Sequence, residues 1–438
     1  MASSRAISPP TRRKRRASSP RESHNNNAYQ PSKRQLTSDN ETYNNNTNTN
    51  NRNILRIFAW NVNSISPLVQ QRITSFFPVS SKASSSSSSS KHEPPPSNTS
   101  QPQSKPSAAP TGLRSFLRRQ SWPQVVCLQE VKISPTDTAT QRAVQQAITP
   151  RNTEDTGPSY TAHFDLPTDN QNCRGFGQKM YGVAVLLRDD FASKYVQRVR
   201  GVDWDHEGRV LVVECMFPCH PSSSLPTQSQ SPSPSSFTSS TISKFAILSI
   251  YAPNGTTNPY RDPVTGSVTG TRHDRKLAFH TLLLRECQML ESQDFKLVLA
   301  GDFNVARDQR DGYPNLRTRP EQHVLNRRDF IVKFLADGGG GGVAGASAKT
   351  LEDIDKVAPN KTQPRLHAID TFRHLHPNTR KYTYYPRNKP WGTSCDRVDM
   401  VLVSRGLESR LVAADMLDSP GDRASSDHVP IYVELVLS

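Results

Sequence analysis

Eight short apolar runs, most of them rich in β-branched residues, limit what this chain can fold into. They are Ile54–Trp60, Val125–Gln129, Val183–Leu187, Val210–Glu214, Phe245–Tyr251, Lys296–Ala300, Val398–Val403 and Val429–Val436. Each has the length of a strand, several are bounded by turn residues, and near-continuous apolarity marks strands covered on both faces. Helical patterns fall between them at Arg272–Glu291 and Arg328–Leu335, with a short one at Arg114–Arg119. Strands and helices mixed around one core indicate an α/β or α+β architecture.

The rest of the chain is not core. Only 34% of the 438 residues are hydrophobic, against roughly 45–50% for an ordinary globular chain. The shortfall sits in four places. Residues 1–53 are polar and basic, carry Asn runs and read as a disordered tail. Biased stretches near 80–110, 218–243 and 338–348 are Ser/Pro-rich or carry a glycine run. Patterned sequence flanks each, so each reads as an insertion in one domain over 54–438, and long surface insertions cost little closure entropy. About 300 residues remain, enough for one large domain.

Charge and cysteine usage narrow the class. Lys+Arg is 55 and Asp+Glu is 39, a net +16. The tail holds ten basic and three acidic residues, so +7 lies there and +9 in the rest. Within the tail, Arg12-Arg13-Lys14-Arg15-Arg16 and Lys33-Arg34 read as a nuclear address or nucleic-acid patch. No apolar stretch of about 18 residues suggests a membrane span, and Met1–Pro10 lacks the apolar segment of a secretory signal. Six cysteines form no disulfide framework. Cys215, Cys219 and His220 make a zinc-like fragment with no second cysteine pair at the usual spacing, so no zinc site is expected.

Polar residues at the ends of the apolar runs carry the chemistry. Asn61 and Asn63 follow the first run, Glu130 the second, Tyr251 and Asn254 the fifth, and Asp302 and Asn304 the sixth. Asp399 and then Ser426-Asp427-His428 stand near the C-terminus. Strand ends hold side chains rigidly beside solvent, where catalytic groups concentrate. Glu130 and Asp427 are hard oxygen donors suited to Mg²⁺. Asp302 and Asn304 alternate, so both should face one side and could position and deprotonate a water. His428 can donate to a phosphate oxygen if Asp399 orients its other nitrogen. Metal, base and anion stabiliser together are what phosphodiester hydrolysis needs.

These strings, in order, resemble the exonuclease III-type (class II) apurinic/apyrimidinic (AP) endonucleases of the endonuclease/exonuclease/phosphatase superfamily. The matching segments are Trp60-Asn61-Val62-Asn63, Leu128-Gln129-Glu130-Val131-Lys132, Glu207-Gly208-Arg209-Val210, Tyr251-Ala252-Pro253-Asn254, Gly301-Asp302-Phe303-Asn304, Phe372-Arg373-His374-Leu375, Arg397-Val398-Asp399 and Ser426-Asp427-His428. The resemblance implies a four-layered α/β sandwich, two packed β-sheets flanked by helices, with the active site at one end. It implies Mg²⁺, with Mn²⁺ able to substitute, held mainly by Glu130 with Asn61, Asn63 and Asp427 close by. Asp302, Asn304 and His428 count both as catalytic groups and as candidate ligands. Tyr251 and Asn254 would contact the scissile phosphate, Arg209 the site or the DNA backbone, and Tyr384 the wall of the abasic-sugar pocket. Asp396 departs from the pattern, since animal members have Trp there.

The implied activity is Mg²⁺-dependent incision 5′ to abasic sites in double-stranded DNA, in the nucleus, by a monomer. A 3′-phosphodiesterase or 3′→5′ exonuclease activity is a further expectation. The alternatives are a less specific nuclease or 5′-tyrosyl-DNA phosphodiesterase of the same fold, and a catalytically weak DNA-binding scaffold. Candidate DNA-rim residues are Arg174, Lys179, Arg272, Arg275, Arg380, Lys381, Arg387 and Lys389, each of which, taken singly, reads more readily as ordinary solubilising charge. Tyr382, Tyr384 and Tyr385 read either as a stacking platform or as alternate faces of a strand.

Overall fold

The computed structural model describes residues 53–69, 112–173, 176–219, 241–335 and 365–437. In chain order the strands are β1 (Ile54–Asn61), β2 (Val125–Gln129), β3 (Tyr160–Asp165), β4 (Val183–Arg188), β5 (Val196–Gly201), β6 (Val210–Cys219), β7 (Thr241–Tyr251), β8 (Pro259–Arg261), β9 (Val268–Thr271), β10 (Phe295–Asp302), β11 (Gly312–Tyr313), β12 (Ile369–Asp370), β13 (Cys395–Asp396), β14 (Asp399–Val403), β15 (Leu411–Met416) and β16 (Ile431–Val436). The longer helices are α1 (Leu113–Arg119), α2 (Thr138–Ile148), α3 (Asp189–Tyr195), α4 (Arg272–Ser292) and α5 (Gln322–Phe334). Two six-stranded mixed sheets result, ordered β15-β16-β1-β2-β4-β3 and β12-β14-β10-β7-β6-β5.

Alternation along each strand explains why the sheets stack. Leu55, Ile57 and Ala59 of β1 and Val125 and Cys127 of β2 point inward against Leu211, Val213, Ile247, Val298 and Val401 of the second sheet. The intervening residues point outward and are covered by helices: Phe58, Trp60, Val126 and Leu128 by Phe116, Leu117, Val144 and Ile148. On the second sheet, Val212, Leu248, Leu299 and Leu402 are covered by Phe279, Leu283, Phe330 and Phe334. Both faces of each central strand are therefore apolar, which is why these runs lack polar alternation. The expected four-layered α/β sandwich is the fold observed. No helix among the described residues is long and apolar enough to cross a membrane.

Topology brings one end of the sandwich together. β1 runs parallel to β2, with Asn61 opposite Gln129, and β7 runs parallel to β10, with Tyr251 opposite Asp302. The antiparallel neighbours β14 and β16 begin where those strands end, Asp399 standing opposite Asp302. Gly301 allows the closest approach: at φ 146°, a Cβ there would lie 2.0 Å from the Ile250 carbonyl oxygen.

Residues 1–52 of the tail and the insertions near 80–110 and 338–348 fall outside the described residues. The insertion expected over 218–243 is shorter, because the β6–β7 ladder continues through Pro218–Ile242 and Cys219–Thr241. Cys215 is fully buried in the core between the sheets, so it is not part of a metal-binding surface.

Candidate active site

The chain turns sharply as each strand delivers its polar residue. Asn63, Glu130, Lys132 and Asn304 all have φ between 47° and 54°, left-handed geometry that costs about 1–3 kcal/mol per residue and collects at functional sites. These turns put side chains from both sheets into one cleft of about 190 Å³, lined by Glu130, Tyr251, Asn254, Asp302, Asn304, Tyr384, Asp427 and His428 among others. The carboxylates of Glu130 and Asp302 and the imidazole of His428 thus share one cleft, as the strand-end residues require.

Asn61 is the tie between the sheets. Its Nδ2 donates to Glu130 Oε1 and to Asp302 Oδ2, both at 3.0 Å, while its Oδ1 accepts the Asn63 amide at 3.0 Å. Asn63 Nδ2 donates to Asp427 Oδ1 at 2.9 Å, and Lys132 lies 3.1 Å from Glu130 Oε2. Burial works to raise the Glu130 carboxyl. Lys132, Asn61, Tyr251 and His428 outweigh it and hold that group below its ordinary value. Burial raises Asp302, and neighbouring Asp399 raises it further. Its oxygens accept the Asn304 amide at 2.8 Å and Asn304 Nδ2 at 3.2 Å, and Asn304 Nδ2 also donates to the Ala252 carbonyl.

His428 is set from three sides. Its backbone amide donates to Ser426 Oγ, its carbonyl accepts Trp60 Nε1, and its Nδ1 lies 2.8 Å from Asp399 Oδ2. Burial opposes the imidazolium, but Asp399, Asp302 and Asp427 push it up to about 10. His428 is therefore a cation at neutral pH, with Nδ1 taken by Asp399. Asp302, Asp399 and His428 offer atoms within 4.8 Å of one another, a grouping that could hold a metal ion with His428 among its ligands. Glu130 and Asp427, which line the cleft, and the Asn61 Oδ1 lone pair that Asn63 does not use are oxygen donors of the kind a hard divalent cation takes. Asp399 Oδ1 is buried without a hydrogen-bond partner, so negative charge here is incompletely matched.

Arg209 does not reach a DNA surface. It is 1% exposed, pairs with Glu207 at 2.9 Å, donates to the Tyr251 carbonyl, and packs under the Tyr181 and Tyr251 rings. Of its two expected roles, support of the site is the one its position allows. Arg272 and Arg275, expected on the rim, are also buried on Glu207 and Asp205. A capping box at Thr271 and Asp274 starts α4 so that Arg272 and Lys276 lie one turn apart on its buried face. Lys179 pairs with Asp137 and Lys381 with Asp415. Arg387 donates to the Ala424 and Ser426 carbonyls, bracing the loop before Asp427. Arg380 and Lys389 are exposed as a rim requires, and Arg174 lies outside the described residues. Tyr384 faces the cleft with its ring 5.0 Å from His428, whereas Tyr385 stacks on Trp391 and Tyr382 packs against the core.

The cleft also contains residues that no motif marked: Lys276, Arg317, His323 and Arg327. Lys276 Nζ donates to the Asn304 carbonyl at 2.6 Å; burial pushes it down to about 7, against the pull of Asp302. The one available signal for Lys276 was its helical spacing from Arg272. Arg317 lies in the irregular segment before α5, and His323 and Arg327 stand on α5, where no motif marks them.

Comparison with known proteins gives the same picture. A sequence model of the endonuclease/exonuclease/phosphatase family matches residues 58–428. A Saccharomyces cerevisiae protein named DNA-(apurinic or apyrimidinic site) endonuclease 2 is 30% identical over 175 residues, covering 36% of this chain and 32% of the yeast protein. The matched stretch thus spans about a third of that relative's length. The catalytic domain of Xenopus laevis APE2 superposes with a TM-score of 0.50 at 15% identity, covering 87% of this chain and 92% of its own. The AP endonuclease LMAP of Leishmania major gives 0.51 at 15% identity, covering 88% of each chain. At such identities the structures speak for the fold.

Proposed function

The chain belongs to the endonuclease/exonuclease/phosphatase family and is a phosphodiester hydrolase, and from that premise we propose that it is a divalent-metal-dependent DNA repair endonuclease cutting the backbone 5′ to abasic sites. The observation that carries this is the convergence of Glu130, Asp302, Asn304 and His428 on one cleft, tied across two sheets by Asn61. Relatives named for AP-site cleavage support the choice of substrate.

In this reading the residues divide the work as follows. Tyr251, hydrogen-bonded to Glu130, and Asn254 contact the scissile phosphate. Asp302 takes a proton from the attacking water, for which its raised pKa is the useful direction. Asn304, its amide fixed by Ala252 and Asp302, orients that water. The His428 imidazolium, held by Asp399, donates to a non-bridging oxygen where charge develops. Glu130, Asn61 and Asp427 would hold Mg²⁺ or Mn²⁺, which when bound supplies Lewis-acid stabilisation of the phosphate and leaving oxygen. A 3′-phosphodiesterase or exonuclease activity is supported by the same phosphate chemistry, which needs only a phosphodiester in the cleft.

The test is incision of a duplex carrying one synthetic abasic site, with Mg²⁺ and with chelator. The expected result is Mg²⁺-dependent cutting that prefers the abasic duplex to an intact one. Equal cutting of both would make the protein a less specific nuclease, and no cutting with any metal would make it a DNA-binding scaffold. A nuclear address is proposed for residues 1–53 on the strength of Arg12–Arg16. A fluorescent protein fused to that segment should concentrate in nuclei and lose the localisation when Arg12–Arg16 are replaced by alanine.

A further inference from the structure

Asn254 stands on the turn that follows β7, and the floor of that turn is a pair of polar side chains outside every motif. His273, the second residue of α4, is 2% exposed, and Asn326, on the second turn of α5, is 3% exposed. Asn326 Nδ2 lies 2.8 Å from His273 Nδ1. Burial, helped by Lys276 and opposed by Asp274, holds the His273 imidazole below its ordinary value. The ring is therefore neutral at neutral pH, and Nδ1 accepts the hydrogen bond from the amide. His323, from the first turn of α5, packs edge-on against the ring at 5.1 Å. Gly255 rests on this pair: a Cβ there would lie 2.5 Å from Asn326 Nδ2 and 2.7 Å from His273 Nδ1. Gly255 lacks the left-handed backbone that favours glycine, so room above the pair is what the position requires. The backbone amides of His273 and Arg272 donate to the Thr256 and Asn258 carbonyls, which ties the rest of the turn to the start of α4.

The pair is a poor device for stability alone. A buried hydrogen bond contributes less than an unpartnered buried polar group costs, and here His273 Nε2 and Asn326 Oδ1 are both buried without a partner. Two apolar side chains of similar size would hold the helices together at least as well. What the polar pair adds is a directional contact that sets one level for the backbone resting on it. We propose that His273 and Asn326 are positioning residues for Asn254. Their hydrogen bond, made between the starts of two helices, fixes the height of Gly255 and so presents the neighbouring Asn254 amide to the scissile phosphate. Both act through the turn rather than on the reacting atoms. The proposal rests on the hydrolase reading above, in which Asn254 contacts that phosphate, and deepens it.

The experiment uses the full chain and two duplexes, one intact and one with a synthetic abasic site. Single-turnover incision in Mg²⁺ is followed at varied protein concentration, and binding of the same duplexes by fluorescence anisotropy in chelator. His273→Leu and Asn326→Leu keep the bulk and remove the hydrogen bond. Each should raise the half-saturating protein concentration about tenfold with a nearly unchanged maximal rate, the pattern of a lost binding contact. His273→Asn, which keeps a hydrogen-bonding group near the place of Nδ1, should recover most of the loss. Gly255→Ala should give the same split. Combined with Asn326→Ala it should be milder than alone, because the amide that the new methyl meets is gone. A lowered Tm with half-saturation unchanged marks a merely structural role and overturns the proposal. So does strict additivity of Gly255→Ala and Asn326→Ala. Equal cutting of both duplexes sinks only the lesion assignment, and the split is then read on the intact duplex. With no cutting at all the hydrolase reading falls, and anisotropy decides this inference: binding weakened about tenfold in the leucine variants supports it, and unweakened binding overturns it. No binding by the unmodified protein sinks both.

Discussion

Arg397 and Asp399 stand two residues apart, and the regions they belong to handle buried carboxylates in opposite ways. Arg397, fully buried, chelates Asp311 and Asp370, which also receive Arg373 and Arg307. Burial alone would raise Asp370, but Arg397 and Arg307 pull it well below its ordinary value. The Glu207 cluster with Arg209, Arg272 and Arg275 is built the same way, with the same result. In the catalytic cleft the carboxylates lie against each other. Asp302 faces Asp399 and is raised, and Asp399 keeps an oxygen without a partner. Arginines complete the charge in the first two clusters, whereas in the third His428 faces Asp399, Asp302 and Asp427 together and leaves negative charge in excess. The comparison separates residues that hold the end of the sandwich together from those that do chemistry there.

The largest expected effect is on turnover. Asp302→Asn or His428→Ala should lower kcat by about 10²–10⁴-fold, the range for losing a positioned base or oxyanion donor, while DNA binding by fluorescence anisotropy largely persists. Near-normal turnover in either variant would remove the distinction between the two regions. Next is stability, where the same carboxylate-to-amide change should act in opposite directions. Asp370→Asn leaves Arg397 and Arg307 short of a counter-charge and should cost about 3–5 kcal/mol, as breaking buried ion pairs does. Asp302→Asn removes a poorly matched charge and should leave Tm in chelator unchanged or raised. If both variants melt alike, charge compensation does not distinguish the clusters.

How much of this was open to reading from sequence follows the same physics. The eight apolar runs correspond to β1, β2, β4, β6, β7, β10, β14 and β16, all interior strands of the two sheets. The unread β3, β5, β12 and β15 are the four sheet edges. In Tyr160–Asp165 and Val196–Gly201 one face meets water, and residues such as His163, Gln197 and Arg198 dilute the pattern. The helix α2 was also unread. At the site, Asn61, Glu130, Asp302 and His428 were legible because strand ends confer a short local string. Arg272 and Arg275 looked like rim charge because sequence does not show that Glu207 and Asp205 are buried beside them. Arg317 lies in an irregular segment before α5, and only the folded chain brings it to Asp396.

The pH dependence of stability sharpens the contrast further. Glu207 and Asp370 have lowered values, so their contribution is complete above the ordinary carboxylate range and is lost as pH falls below it. Asp302 is raised, so the folded state holds its proton more tightly than the unfolded one, and its ionisation costs stability as pH rises through the raised value. His428, raised to about 10, adds a decline of the same sign between its ordinary value near 6.5 and 10. In chelator, Tm should therefore fall both toward acid and toward alkali. Asp302→Asn should remove the decline between the ordinary carboxylate value and about 7, and leave the decline toward alkali that His428 sets. A variant profile parallel to the unmodified protein's at every pH would show that Asp302 ionisation does not limit the metal-free fold.

The smallest effects belong to charges that face water, and they test the boundary between buried and rim arginines. Arg380 and Lys389 are exposed, so alanine at either position should change stability by less than about 0.5 kcal/mol. If they touch DNA phosphates, each substitution should weaken binding uniformly across sequences and reduce the slope of log K against log salt by about 1. Arg275→Ala should do the reverse. Removing a guanidinium from between Asp205 and Glu207 destabilises the fold and leaves the salt slope of the surviving folded protein unchanged. A drop in slope for Arg275→Ala equal to that for Lys389→Ala would mean that Arg275 reaches the phosphates when DNA is bound. The Glu207 cluster would then belong to the DNA-binding surface rather than to the scaffold behind it.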